Sequence, residues 1–257
     1  MTDLSNKTVL LTGASKGIGA AIAEGMVAAG ARLIAHYGND LAGVEQATKG
    51  AADGQVTLLQ ADLADTDAVD RFWQQARDAA GGQIDVLVNN AGVMHQAGGV
   101  TDDDEAWDAA WSNSMAVNVT APARLMRLAL RDWLEAGHKG AVIAIGSWVT
   151  TRGTSNPGAI SYAASKAAIA AATKTVARNY ADQGILAYVI APGVVATQMS
   201  IDAANTIGGV DAVTAGLPMG EMIPPSDIAE LAVFLAAGKA RHLTGSTIDL
   251  NGAAYIR

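Results

Sequence analysis

Tyr162 and Lys166 stand four residues apart in the run Tyr-Ala-Ala-Ser-Lys. The surrounding stretch, 160–182, is rich in Ala, Ser and Lys and holds no Pro or interior Gly, so it is expected to be a helix. Residues at i and i+4 share one helix face, which brings the phenol and the ammonium side by side. A phenol ordinarily loses its proton near pH ~10. A neighbouring cation favours the phenolate and lowers that value, which would let Tyr162 exchange protons with a substrate near neutral pH as general acid or base. Ser147 follows an apolar run, 141–145, that reads as a buried strand. Its hydroxyl is expected at the carboxyl end of that strand, where open α/β sheets place their sites. Tyr and Lys also fall four apart by chance in many helices, so the rest of the chain has to decide.

The elements that would position these groups begin with a strand at 7–12, followed by Gly13-Ala14-Ser15-Lys16-Gly17-Ile18-Gly19 and an Ala-rich helix. Strand, glycine turn and helix in succession suggest a dinucleotide-binding unit. Gly13 permits a tight turn, Gly17 lets backbone approach a pyrophosphate, and Gly19 lets the helix pack closely on the strand. The free N–H groups at the helix start favour an anion. A second strand, 32–36, ends in His36-Tyr37-Gly38-Asn39, with no acid before Asp40. An acid there would hold the ribose 2′-hydroxyl of NAD and repel a 2′-phosphate. Its absence, with Lys16 in the turn, tilts the cofactor toward NADP, with NAD possible. Alternatively Lys16 is a solvated turn lysine and His36 a strand-end histidine.

Further strands are expected at 55–60, 84–88, 141–145, 185–190 and 246–250. Asp62, after the third, could accept from an adenine amino group or cap the helix that begins at Thr66. Asn89-Asn90-Ala91-Gly92 after the fourth could lie close to the cofactor and tie strand ends together, or be an ordinary turn. The acidic run 101–105 reads as a helix N-terminus rather than a metal site. That helix would carry Trp107 and Trp111 on its apolar face and contain Asn118, where a mid-helix Asn needs a reason such as holding a water. After Pro192-Gly193-Val194-Val195-Ala196-Thr197, whose N–H groups and Thr197 hydroxyl could bind a carboxamide, residues 198–223 read as a substrate lid. A capped helix is expected at 226–237. Strands alternating with helices give an α/β fold with a doubly wound parallel sheet, in a single domain over 1–257.

Composition narrows the function. Of 257 residues, 50% are hydrophobic and 16% charged, which argues against disorder. A net charge of −8 without a basic stripe argues against nucleic acid or an anionic membrane as partner. With no cysteine, disulfides and thiolate chemistry are excluded, and a reducing cytoplasmic setting fits. Four histidines without ligand spacing give no expected metal site. No signal peptide or membrane-spanning run is expected.

Taken together, the chain resembles the short-chain dehydrogenase/reductase family over nearly its whole length. The residues that carry the resemblance run from Thr12 to Gly19, then Asp62, Asn89 to Gly92, Asn118, Ser147, Tyr162 to Lys166, and Pro192 to Thr197. The resemblance implies a seven-stranded Rossmann sheet, NAD or NADP as cofactor, a small carbonyl or alcohol substrate, and a homotetramer or homodimer. By position it implies that Asn118 holds a relay water and Ser147 hydrogen-bonds the substrate oxygen. Tyr162 would then be the acid/base, with Lys166 lowering its pKa and gripping the nicotinamide ribose. It also implies cofactor contacts from Gly13, Ser15, Lys16, Gly17, Ile18, Gly19, Tyr37, Asp62, Leu63, Asn90, Ala91, Gly92, Tyr162, Lys166, Pro192, Gly193, Val195 and Thr197. The nearest activity implied is that of a 3-oxoacyl-carrier-protein or general carbonyl reductase, with a sugar or secondary-alcohol dehydrogenase as the alternative. By position, Met94, His95 and Trp148 would line the substrate pocket. A dinucleotide-sensing regulator without catalysis would be expected to lack Tyr162 or Lys166, and both are present. Two departures from the family pattern stand out. The interval from Ser147 to Tyr162 is two residues longer than usual, adding a loop at 150–157, and Asn251-Gly252-Ala253-Ala254 replaces the common Gly-Gly after the last strand.

Overall fold

The computed structural model describes residues 2–206 and 208–256. Strands and helices alternate in the order β1 (Thr8–Leu11), α1 (Gly17–Ala28), β2 (Arg32–Tyr37), α2 (Leu41–Thr48), β3 (Val56–Gln60), α3 (Thr66–Ala79) and β4 (Val86–Asn89). Next come α4 (Asp104–Met115), a π turn (Ala116–Thr120), α5 (Ala121–Ala136), β5 (Gly140–Ile145), α6 (Val149–Arg152), α7 (Ile160–Tyr180) and β6 (Ile185–Pro192). The chain closes with α8 (Gln198–Asn205), α9 (Val210–Ala215), α10 (Pro225–Ala236) and β7 (Thr247–Leu250). The seven strands form one sheet in the order β3-β2-β1-β4-β5-β6-β7, and every pairing is parallel.

Parallel strands need crossovers, and the helices that supply them cover both faces. Side chains alternate accordingly. Val9 and Leu11 of β1 join Ile22, Met26, Ile228 and Leu235 on the α1/α10 side, while Leu10 joins Phe72, Leu125 and Ile169 on the α3/α5/α7 side. Central strands are therefore almost wholly apolar, and all eight residues of β6 are buried. Two glycines allow unusually close packing. A Cβ on Gly25 of α1 would lie 3.3 Å from Val233 of α10, and one on Gly140 would lie 2.3 Å from the Trp133 ring. Trp133 is held over that glycine by its indole N–H, which donates to the Ile84 carbonyl at 2.7 Å.

Several local expectations need correction. Asp65, not Asp62, caps α3 by accepting from Asp67 N–H, because the Asp62 carboxylate turns to Ala64 N–H instead. Pro224 and Pro225 start α10, so Ser226 lies inside its first turn and caps nothing. Asn118 is not inside a regular α-helix: α4 ends at Met115, and a π turn carries the chain into α5. The acidic run does start α4, with Asp103 accepting from Ala106 N–H. Trp107 and Trp111 stack on each other at 5.6 Å between ring centroids, and both stay half-exposed.

Candidate active site

The strand order reverses at β1. From there the chain runs outward to β2 and β3, then returns to β4 on the other side. That reversal opens a crevice at the carboxyl ends of β1 and β4, where doubly wound sheets bind ligands. Thr12 and Asn90 tie the two strand ends together. Thr12 Oγ1 accepts from Asn90 N–H at 3.0 Å and from Ala91 N–H at 3.1 Å. In return, the Asn90 amide donates to the carbonyls of Thr12 and Gly13, each at 2.9 Å. Thr12 is among the residues that carry the family resemblance, but no role of its own was legible in the sequence.

The glycines of the turn shape a cradle. Gly13 has φ +69°, and a Cβ there would meet the Ala91 Cα at 2.9 Å. A Cβ on Gly19 would lie 1.8 Å from the Gly13 carbonyl oxygen, so only glycine lets α1 begin this close to the turn. Gly17 has φ +55°, and its missing Cβ would sit 3.0 Å from the Thr197 methyl group. No side chain caps α1, whose N-cap position is Lys16, so the first N–H groups of this twelve-residue helix are free for an anion. Ser15 and Ile18 flank that opening, half-buried, and Lys16 is exposed with no ion-pair partner among the described residues. This cradle of glycines and free N–H groups fits a dinucleotide pyrophosphate.

Around the cradle, Tyr37 is half-buried at the end of β2, Asp62 exposed and Leu63 buried after β3. Pro192 ends β6, and its carbonyl accepts from Trp148 N–H at 2.9 Å. Gly193 lies against Asn251, where a Cβ would come within 3.0 Å of backbone. Val195 is buried and bridges to Ile223, and Thr197 starts α8 by accepting weakly from Ser200 N–H at 3.4 Å. The segment 198–223 carries α8 and α9 beside this wall, and its Ile207 lies outside the described residues.

Ser147, Tyr162 and Lys166 converge past the end of β5. The Tyr162 hydroxyl lies near enough to the Ser147 side chain for the serine to favour its phenolate. Lys166, buried, donates from Nζ to the Ile145 carbonyl at 2.8 Å and lies 5.8 Å from the centre of the Tyr162 ring. Gly92 makes room for this arrangement. A Cβ there would lie 3.2 Å from both Lys166 Nζ and Asn118 Oδ1. Asn118, also buried, accepts from Val93 N–H at 2.8 Å and donates to the Val93 carbonyl and to Ser165 Oγ, both at 2.9 Å. Both of its amide hydrogens are thus committed to protein, so the side chain pins the β4–α4 loop to α7.

The electrostatics correct the sequence reading. Lys166 does not lower the Tyr162 pKa in this structure. Burial pushes the phenol above its ordinary value, and Ser147 offsets only part of that. Burial also brings Lys166 from 10.5 down to about 8, since its ammonium has left water for one backbone carbonyl. The i,i+4 spacing did bring the pair to one face, but burial sets the direction of both shifts.

The longer Ser147–Tyr162 interval is taken up by α6 and by contact with the β4–α4 loop. The Asn156 amide donates to Gln96 Oε1 at 2.8 Å, and a Cβ on Gly158 would strike the Gln96 carbonyl at 2.1 Å. Half-buried Trp148 carries the Arg152 guanidinium 4.5 Å above its ring. His95 bonds Asn113 Oδ1 through Nε2 at 3.0 Å, and Met94 beside it is half-buried.

Residues 13–252 match the protein family described as enoyl-(acyl carrier protein) reductase. The chain is 33% identical to 3beta-hydroxysteroid dehydrogenase 1 of Eggerthella lenta, covering 99% of this chain and 95% of the relative. It is 32% identical to the 3-oxoacyl-(acyl-carrier-protein) reductase FabG of Escherichia coli, covering 99% of both. The chain belongs to the short-chain dehydrogenase/reductase family. Solved members superpose closely. A mutant of the Serratia marcescens short-chain dehydrogenase/reductase gives a TM-score of 0.85 at 29% identity over 98% of each chain. A dehydrogenase/reductase from Sinorhizobium meliloti gives 0.85 at 31% identity, over 99% of this chain and 97% of that one. As a short-chain dehydrogenase/reductase, the protein is an oxidoreductase that works with a nicotinamide dinucleotide on a small carbonyl/alcohol pair. None of its described helices is long and apolar enough to cross a membrane, and no described cluster of His, Asp or Glu could hold a metal ion.

Proposed function

We propose that the protein is an NADP(H)-preferring carbonyl reductase, close in type to a 3-oxoacyl reductase, with its whole site in one domain. The observation that carries this reading is the convergence of Ser147, Tyr162 and Lys166 past the end of β5, with burial raising the phenol further above neutral pH. A protonated phenol is the state needed to give a proton to the oxygen of a carbonyl being reduced. When bound, the nicotinamide supplies the hydride. Ser147 orients the carbonyl oxygen and Tyr162 delivers the proton to it. Lys166, buried beside the phenol, grips the nicotinamide ribose. The Asn118 carbonyl keeps a water through which Tyr162 can be reprotonated.

The glycine turn from Gly13 to Gly19 holds the pyrophosphate in this reading. Asn90, Ala91, Gly92 and the 192–197 loop border the nicotinamide half, and Tyr37, Asp62 and Leu63 the adenosine half. Lys16 favours the 2′-phosphate: it is exposed, with no ion-pair partner among the described residues, and a Cβ on Gly38 would meet nothing within 4 Å. The nearest acid, Asp40, is turned to the Gly43 N–H at 2.8 Å. Segment 198–223 acts as the substrate lid, and the protein works as a cytoplasmic homotetramer or homodimer.

The test is loss of NADPH absorbance with a panel of ketones and 3-oxoacyl thioesters, beside NADH. Turnover with NADPH supports the reading, and oxidation of sugars or secondary alcohols in place of it overturns the reductase assignment. Replacing Lys16 by Ala should weaken NADPH about tenfold, the scale of one charge-assisted hydrogen bond, and leave NADH within about twofold. An equal loss for both cofactors removes the phosphate role.

A further inference from the structure

The buried side chain most closely coupled to the glycine turn is one without an assigned role. His36 ends the apolar run of β2 and is 3% exposed. A polar group buried this deeply needs partners on both ring nitrogens. Its Nδ1 accepts from Gly13 N–H at 3.0 Å, and its Nε2 lies 3.1 Å from the Ala61 carbonyl oxygen. A carbonyl only accepts, so Nε2 carries the proton and Nδ1 does not, which fixes one neutral tautomer. The main chain of the same residue adds a third contact, because Ala14 N–H donates to the His36 carbonyl at 2.8 Å. Phe72 packs on the ring at 5.0 Å between centroids and holds its orientation.

The imidazole therefore spans from the end of β3 to the first glycine of the turn. Gly13 is itself under constraint, with φ +69°, its carbonyl bonded to the Asn90 amide and its Cα wedged against Ala91. With its N–H bonded to His36, its carbonyl to the Asn90 amide and the next N–H to the His36 carbonyl, Gly13 is fixed on each side as the chain enters the turn.

We infer that His36 is a positioning residue for the cofactor: its Nδ1 lone pair holds Gly13 in the conformation that the dinucleotide requires. This rests on the glycine turn being the dinucleotide site. His36 touches no substrate, so its loss should act on cofactor affinity and not on the chemical step. Asn is the informative replacement, since its Oδ1 falls near the place of Nδ1 and can accept from Gly13 N–H.

The experiment measures NADPH affinity by fluorescence titration, with KM for NADPH and kcat, in His36→Ala, His36→Asn and Gly17→Val. His36→Ala should raise Kd and KM for NADPH roughly five- to tenfold, the scale of one lost hydrogen bond, with kcat at saturation within about twofold. His36→Asn should return Kd to within about twofold of the unmodified protein. Imidazole nitrogen NMR of the unmodified protein should show the His36 Nε2–H tautomer at neutral pH. Gly17→Val should abolish binding. Wild-type affinity in His36→Ala, no rescue by His36→Asn, or the Nδ1–H tautomer overturns the inference. Binding that survives Gly17→Val overturns the site assignment instead. If His36→Ala fails to fold, the tautomer and the Asn variant still decide.

Discussion

Replacing Lys166 by Met should make the ligand-free protein more stable at neutral pH, and that advantage should disappear as pH rises. Lys166 is buried, has a single backbone acceptor, and titrates at about 8 instead of 10.5. Its folded pKa lies below its unfolded one, so between those values the unfolded chain binds more protons. Stability must then rise with pH across that window, and below pH 8 the full cost of burying the ammonium is felt. At about 1.36 kcal/mol per pH unit, that cost is about 3 kcal/mol. The Met variant avoids it but loses the hydrogen bond to Ile145, worth about 1 kcal/mol, leaving it about 2 kcal/mol more stable near pH 7. Between pH 7 and pH 10 the wild type should regain about 2.5 kcal/mol relative to the variant. Urea unfolding of both proteins without cofactor at pH 7, 8, 9 and 10 gives the difference directly, and groups common to both cancel in it. A difference constant within about 0.5 kcal/mol over that range would show that Lys166 is not desolvated, and the account of this site would be wrong.

The direction of catalysis should depend on pH through Tyr162. Its folded pKa is raised, so carbonyl reduction, which uses the protonated phenol, should stay level from pH 6.5 to 8, while alcohol oxidation should climb beyond pH 9; an oxidation rate that levels off below pH 8 would contradict this. Ala253 is the one non-glycine among the described residues with positive φ, at +60°. Ala253→Gly should therefore raise stability by about 1 kcal/mol, and a thermal melt with no increase would show that the turn after β7 is relaxed.

Much of this architecture was legible because its signals are local. The seven strands could be found from short apolar runs bounded by Gly, Pro or Asn, since a parallel sheet covered on both faces leaves no polar alternation to confuse with loop. The cradle could be found because Gly13, Gly17 and Gly19 each occupy a place that a Cβ would fill. Geometry across distant segments was not legible. Spacing put Tyr162 and Lys166 on one face, yet whether attraction or desolvation wins depends on what surrounds them, and Ile145, Gly92 and Ser147 come from other parts of the chain. Asn118 drew notice as a polar residue in an apolar helix. The π turn that accommodates it, and the pairing of its amide with Val93, follow from tertiary contacts that no periodicity records. His36 looked like a strand end because its partners, Gly13 and Ala61, lie 23 and 25 residues away.

The measurement closest to the centre of the account is turnover and NADPH binding by Tyr162→Phe, which deletes one oxygen and leaves the ring over Lys166. The predicted result is a fall in kcat of about a thousandfold, with Kd for NADPH within about twofold of wild type. Ketone reduction at an undiminished rate would mean that the proton comes from another group, and the role given to Tyr162 would have to be abandoned.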